Sequence, residues 1–327
     1  MFKDKKVLVA GGAGFVGTNL ILKLLSLDVS IRATLHKKDV VIDNGRIEYI
    51  RCDLTKREDC QRAVEGIDYV FMCAANTSGA AVMEKTPLVH VTGNVVMNTL
   101  MLEAAYEAGV QKYLFISSNT VYPVADYPVK EDEMTPGQLF EKYFCVGWMK
   151  QFSEVLCRMY AEKIKKTMNT VVVRPANIYG PNDDFEWETS HVLPALIRKV
   201  IERHDPIEVW GDGNDIKDFI YIDDFVEGIL LAMEKLDTFV PVNIATGVPC
   251  SIRQALDAIL QADEYISANV VFNSSKPTMI PKRLIDTTKA KQLLGFEAKT
   301  SIVEGIKKTV DWYRQTQGLA RPRSVTN

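Results

Sequence analysis

Three glycines, Gly11, Gly14 and Gly17, follow the apolar run Val7-Leu8-Val9-Ala10 at a spacing suited to holding a phosphate. Gly11 permits a tight turn, Gly14 lets backbone approach an anion, and Gly17 lets a helix lie close to a strand. Phe15 and Val16 open that helix, where unpaired amides and the positive dipole end can bind a pyrophosphate. The pattern is G-x-x-G-x-x-G, with Gly12 also in the turn, and it reads as a dinucleotide cradle. A second strand, Val29-Ser30-Ile31-Arg32-Ala33-Thr34, ends without the acid that usually holds ribose hydroxyls; Arg32, His36, Lys37 and Lys38 stand there instead. A charge-assisted bond to phosphate is worth roughly 1.5–3 kcal/mol, enough to select a 2′-phosphate. NADP(H) is therefore the expected cofactor, with NAD(H) possible. Asp53, followed by Leu54 at the end of a third strand over 46–54, is placed to reach the adenine.

These groups need a scaffold, and the chain supplies one. Apolar strands over 68–72, 112–116 and 170–175 alternate with helical periodicity over 91–108 and 144–165, the arithmetic of βαβ units. The expected class is α/β, a doubly wound parallel sheet (Rossmann fold) with a smaller α/β C-terminal lobe. Strand four ends in small residues, Cys73-Ala74-Ala75, and Asn94 stands near the start of the next helix; strand five delivers Ser117-Ser118-Asn119-Thr120-Val121-Tyr122. The expected division is a dinucleotide domain over 1–175, a substrate lobe over 176–317 built from chain excursions, and a disordered tail over 318–327. In the second half His191 starts a helix through Arg203, Asp223-Asp224 reads as an N-cap pair, and Ser251/Gln254 and Ser301/Glu304 read as capping boxes.

Composition narrows the chemistry. The chain has 47 % hydrophobic and 25 % charged residues, with a net charge of −3, which gives no basic field for nucleic acid. No apolar run approaches the roughly 20 residues of a membrane span, and strand one begins at once, so a cytoplasmic protein without a signal peptide is expected. Six scattered cysteines lack C-x-x-C spacing and only four histidines accompany them, so reduced thiols and no metal site are expected.

From Lys5 to about Tyr313 the chain resembles the extended short-chain dehydrogenase/reductase family, the nucleotide-sugar epimerases, dehydratases and ketoreductases. The likeness rests on Gly11, Gly14 and Gly17, Asp53-Leu54, Cys73-Ala74-Ala75, Asn94, Ser117 through Tyr122, Arg174-Pro175-Ala176-Asn177-Ile178-Tyr179-Gly180-Pro181, and Lys217-Asp218-Phe219-Ile220-Tyr221-Ile222-Asp223-Asp224. The resemblance implies that Pro175 borders the cofactor and that Ser118, with Thr120 beside it, meets the reacting sugar oxygen. It also implies that Asn177, Lys217 and Arg283 hold a nucleotide-diphosphate sugar. Ser190-His191-Val192-Leu193-Pro194-Ala195-Leu196 is most similar to the GDP-fucose synthase branch, which favours a GDP-sugar and makes His191 a candidate acid. That branch carries a cysteine acid where Thr120 stands, so the reading favours hydride transfer at the sugar's C4 over epimerisation at carbons three and five.

The family's Tyr-x-x-x-Lys pair is incomplete. Lys150 fits the lysine, which holds the nicotinamide ribose, but Val146 stands where the phenol belongs. Tyr143, two helical turns before Lys150, and His191 are the alternative proton carriers. An oxidoreductase or epimerase with an altered proton donor is one expectation; a cofactor-binding protein without turnover is the other. The family also implies a homodimer through the helices at 91–108 and 144–165.

Overall fold

The computed structural model describes residues 2–77, 79, 82 and 85–319. Its organising element is a seven-stranded sheet. The strands are β1 (Lys6–Ala10), β2 (Ser30–Leu35), β3 (Ile47–Arg51), β4 (Tyr69–Met72), β5 (Lys112–Ile116), β7 (Asn169–Pro175) and β11 (Pro241–Ile244). They lie in the order β11-β7-β5-β4-β1-β2-β3, and every pair is parallel. The order reverses between β1 and β4, which opens a crevice at their C-terminal ends where α/β sheets bind ligands.

The pleat of β1 explains the two-sided core. Val7 and Val9 enter one hydrophobic cluster and Leu8 and Ala10 the other, all four at 0 % exposure. Helix α1 (Phe15–Leu24) presents Leu20, Ile21 and Leu24 to the first cluster. The second cluster holds Cys60, Ala63 and Val64 of α2 (Arg57–Val64) and Met101, Leu102 and Ala105 of α3 (Thr92–Glu107). Helix α4 (Phe144–Glu162) packs beside α3 and β7.

The C-terminal half returns to this sheet. Strand β11 completes its edge, and α6 (Ile222–Lys235) packs on α1 and β7. The remaining lobe holds β8 (Asn177–Tyr179), β10 (Ile216–Tyr221) and β12 (Pro249–Ser251) in one small sheet, with β9 (Ile207–Trp210) parallel to β13 (Val270–Asn273). One strand from each half, β6 (Pro128–Val129) and β14 (Leu284–Ile285), forms a parallel pair between them.

Helix α5 (Val192–Ile201) has His191 as its N-cap and stops two residues before Arg203, whose φ of +58° no longer continues a helix. Helices α7 (Ile252–Ala262), α8 (Thr288–Leu294) and α9 (Ile302–Thr316) complete the lobe. Ser251 and Gln254 form the full reciprocal box at α7, whereas at α9 Ser301 accepts from the Glu304 amide at 3.2 Å. Asp223-Asp224 does not cap α6: Tyr221 occupies that position, and Asp224 accepts the amides of Lys299 and Thr300 at 3.2 and 2.8 Å. Of the expected tail, residues 320–327 lie outside the described residues.

Candidate active site

The glycine turn has the shape of a cradle that side chains would fill. At Gly11, with φ +83°, a Cβ would lie 2.7 Å from the Ala74 Cα, and at Gly17 one would lie 2.1 Å from the Gly11 carbonyl oxygen. The turn is sewn to β2 by Gly11 N–H donating to Thr34 Oγ1 at 2.8 Å and Gly12 N–H to the Thr34 carbonyl at 2.9 Å. Gly14 is the N-cap of α1 and no side chain caps that helix, so the first amides, at Phe15 and Val16, are left for an anion. The residues present fit a dinucleotide pyrophosphate.

Beside it, His36, Lys37 and Lys38 are exposed at the end of β2. Arg51, opposite Leu35 in the β2–β3 register, donates to the His36 carbonyl at 2.6 Å and pairs with Asp39 at 3.0 Å. Register brings Arg51 into the basic group; its sequence position inside a strand gave no such signal. Arg32 does not belong there. It lies in mid-strand, 8 % exposed, and its guanidinium donates to the Ala63 and Glu65 carbonyls at 3.1 and 2.8 Å and pairs with Glu48. It caps the C-terminal end of α2 instead of meeting a cofactor phosphate. Asp53 accepts the Thr55 hydroxyl at 2.6 Å and amide at 3.1 Å. These bonds, the hydroxyl's first, hold its carboxyl below the usual range, and nearby His36 adds to the effect. Leu54 is buried behind it.

Across the crevice Ala74 backs the Gly11 turn and Ala75 is exposed. Asn94, expected at the cofactor, is 1 % exposed and spent on the protein. Its amide donates to the Asn76 and His90 carbonyls at 2.9 and 2.8 Å and its oxygen accepts the Asn76 amide at 2.8 Å. It fixes the loop after β4, acting as a positioning residue. That loop reaches the other lobe, where Gly79 N–H donates to the Thr189 carbonyl at 2.8 Å beside His191.

The hydroxyl turn and the lysine helix meet directly. Ser118 caps the turn Asn119–Val121, its Oγ accepting the Thr120 amide at 3.2 Å. Asn119 ties this turn to the end of β7 by donating to the Pro175 carbonyl at 3.0 Å. Thr120 Oγ1 is buried with no hydrogen-bond partner among the described residues. The first turn of α4 abuts it so closely that a Cβ on Gly147 would lie 2.8 Å from the Thr120 carbonyl oxygen. Val146 is 9 % exposed there. One turn on, Lys150 Nζ donates to the Ile116 carbonyl at 2.8 Å and lies 4.9 Å from the Phe115 ring centre. Burial pulls its pKa down to about 8, against the pull of Glu154 and Cys157 in the other direction.

Beneath Lys150 lies a buried polar network that sequence reasoning missed. Glu154 and Arg174, each 1 % exposed, pair through Arg174 Nη2 to Glu154 Oε2 at 2.6 Å and Nε to Oε1 at 3.0 Å. Ser117 Oγ also donates to Glu154, and Arg174 donates to the Tyr122 hydroxyl at 3.0 Å, which donates to Asn243 Oδ1 at 2.6 Å.

Tyr143 is not brought to Lys150. It precedes α4 in a short 3-10 turn, Glu141–Tyr143, and the charges that act on its hydroxyl are those of Arg283 and Asp215 in the other lobe. His191, the exposed N-cap residue of α5, has its pKa lowered by desolvation, with Asp184 opposing and His90 reinforcing the shift. Among the expected substrate ligands, Asn177 donates to the Asp218 carbonyl at 2.9 Å. Lys217 donates to the Ile280 carbonyl and pairs with Asp215 at 3.3 Å. Arg283, 1 % exposed, donates to the Pro123 and Tyr122 carbonyls at 2.9 and 3.2 Å, next to the hydroxyl turn. Its Nε is buried without a partner, and no ion pair engages it among the described residues. Asp183 is a further missed group; burial raises its pKa to about 8, and its loop is sewn to α1 through Asn19 donating to the Pro181 carbonyl at 2.9 Å.

Residues 7–245 match the family model described as NAD dependent epimerase/dehydratase family. The chain belongs to this family. Among its epimerase/dehydratase relatives, GDP-L-fucose synthase of Escherichia coli (strain K12) is 31 % identical over 333 residues, covering 97 % of this chain and 99 % of the relative. Probable GDP-L-fucose synthase 1 of Oryza sativa subsp. japonica is 29 % identical, covering 95 % and 92 %. UDP-glucose 4-epimerase of Thermotoga maritima, solved with UDP-glucose, is 28 % identical with a TM-score of 0.85, covering 95 % of this chain and 99 % of that one. UDP-glucuronic acid 4-epimerase of Bacillus cereus, solved with UDP-glucuronic acid and NAD, is 26 % identical with a TM-score of 0.83, covering 95 % and 99 %. The glycine turn over 11–17 lies within the matched span.

Proposed function

We propose that the chain is an NADP(H)-linked oxidoreductase acting on a nucleotide-diphosphate sugar, a GDP-sugar favoured, with hydride moving between the cofactor and the sugar's C4. The observation that carries this reading is Arg283, a guanidinium buried beside the hydroxyl turn with no ion pair among the described residues. Such a group is costly to bury unless an anionic ligand completes it. The relatives include GDP-L-fucose synthases and a UDP-glucose 4-epimerase, which supports a nucleotide-diphosphate sugar as that anion.

The bound nicotinamide supplies or accepts the hydride. Ser118 meets the reacting sugar oxygen, and the Lys150 ammonium holds the ribose. With Val146 in the phenol's position, this reading assigns the proton to Lys150 or His191. Thr120 is a far weaker acid than a cysteine, which favours reduction over epimerisation. Mixing the protein, NADPH and a 4-keto GDP-sugar should consume cofactor absorbance. The second reading, a cofactor-binding protein without turnover, is favoured by Val146 itself, and saturable binding with no absorbance change would select it.

NADPH should bind about tenfold or more tightly than NADH, because His36, Lys37, Lys38 and Arg51 gather at the end of β2. Calorimetric titration with both cofactors checks this, and equal affinities would remove the electrostatic argument. If Lys150 acts as the ammonium, kcat/KM for ketone reduction should fall as pH rises through about 8, where that charge is lost in the free protein. A profile flat through that range would exclude it. A homodimer is also expected, since Phe144, Trp148, Phe152, Val155 and Met159 leave an apolar stripe along α4, each 39–50 % exposed. Phe152→Glu should shift the sedimentation coefficient to that of a monomer, and a wild-type monomer at micromolar concentration would contradict the proposal.

A further inference from the structure

Tyr143, an alternative proton carrier by sequence, is placed where a different task is available. The turn that holds it is pinned to the segment 278–283 of the C-terminal lobe, with Lys142 Nζ donating to the Thr278 carbonyl at 2.7 Å. The Ile280 amide leans on the Tyr143 oxygen while the Ile280 carbonyl takes the Lys217 ammonium, and Arg283 follows three residues later. A phenol, an ammonium and a guanidinium from three separate parts of the chain therefore converge on one segment. Asp215, 3.3 Å from Lys217 Nζ, offsets one of the two positive charges. The other belongs to Arg283, whose Nε has no hydrogen-bond partner among the described residues. A cluster with a surplus positive charge and a neutral hydroxyl donor fits the oxygens of a diphosphate.

We infer that Tyr143 is a substrate-binding residue, donating its hydroxyl to the diphosphate of the sugar nucleotide alongside Arg283 and Lys217, and that it is not the proton donor at the sugar. This rests on the sugar-nucleotide reading above. The phenol's own chemistry agrees. Burial pushes its pKa up to about 12, so it stays protonated at neutral pH and serves as a donor to an anion. A phenol that shuttles a proton needs a pKa drawn down toward the working pH. The Lys150 ammonium that would do this is held at the Ile116 carbonyl and is not among the charges acting on Tyr143.

The test is calorimetric titration of the full-length NADPH-bound protein with GDP, UDP and guanosine, on wild type and Tyr143→Phe. Removing a hydroxyl that bonds a charged oxygen should weaken GDP about tenfold. Guanosine and NADPH affinities should stay as in wild type, which also shows that the variant is folded. In turnover, KM for the sugar nucleotide should rise more than kcat falls. Unchanged GDP affinity in Tyr143→Phe overturns the assignment, and loss of hydride transfer at saturating substrate with GDP affinity intact makes Tyr143 the proton donor after all. Wild type that binds neither GDP nor UDP overturns the sugar-nucleotide reading and this inference with it.

Discussion

Val146→Tyr should raise reductase turnover by about 10²-fold or more, the largest gain any single substitution in this chain is expected to give. Position 146 lies one turn before Lys150 on α4, at the point where that helix abuts the Ser118–Val121 turn. A phenol there stands between the serine hydroxyl and the lysine ammonium, which stabilises the phenolate and brings its pKa toward neutrality. Lys150 is already desolvated, so its charge would act on the new phenol with little screening. Stopped-flow cofactor oxidation with a 4-keto GDP-sugar reads the effect, and NADPH titration of the same variant shows that the cradle is intact. A gain of less than about threefold, with His191→Ala abolishing the wild-type rate, would assign the proton to His191 instead.

The largest expected loss of stability is at Arg174. Arg174→Met leaves Glu154 as a carboxylate 1 % exposed with its guanidinium gone, and breaking such a buried pair costs about 3–5 kcal/mol. For a chain of this length that is a fall in Tm of about 4–7 °C. Arg174→Met combined with Glu154→Leu should recover most of the loss, because the uncompensated charge disappears with its partner. Differential scanning calorimetry of the two variants decides it. A double variant as unstable as the single one would show that the Arg174 bonds to Tyr122 and Glu131 matter more than the pair.

The difference between what could and could not be read beforehand follows from the range of the interactions. The Gly11–Gly17 cradle was legible because steric demands act over a few residues: Gly17 cannot carry a Cβ against the Gly11 carbonyl whatever the rest of the chain does. The parallel sheet was legible for the same reason, as apolar strands alternating with helical periodicity admit few topologies. Arg32 misled because a strand's pleat decides its direction. Arg32 points across β2 toward the end of α2, while Arg51, nineteen positions later, comes to the end of β2 through register. Asn94 and the Glu154–Arg174 pair depend on partners 18 and 20 residues away, and no local pattern announces such pairings. Tyr143 was offered as a proton carrier because it stands seven residues before Lys150 in the sequence, and local spacing says nothing of the C-terminal lobe. The chain is still in a 3-10 turn at that residue, which sends the phenol to the C-terminal lobe and not along α4.

Hydride transfer is the central claim, and isotope transfer tests it most directly. The protein is mixed with NADPH carrying deuterium at both nicotinamide C4 positions and with a 4-keto GDP-sugar, and the sugar nucleotide is recovered and examined by mass spectrometry and NMR. The account predicts oxidised cofactor and a sugar bearing one deuterium, located at its C4. Saturable binding of both ligands with no deuterium in the sugar would contradict it and leave a protein that keeps the site without the reaction.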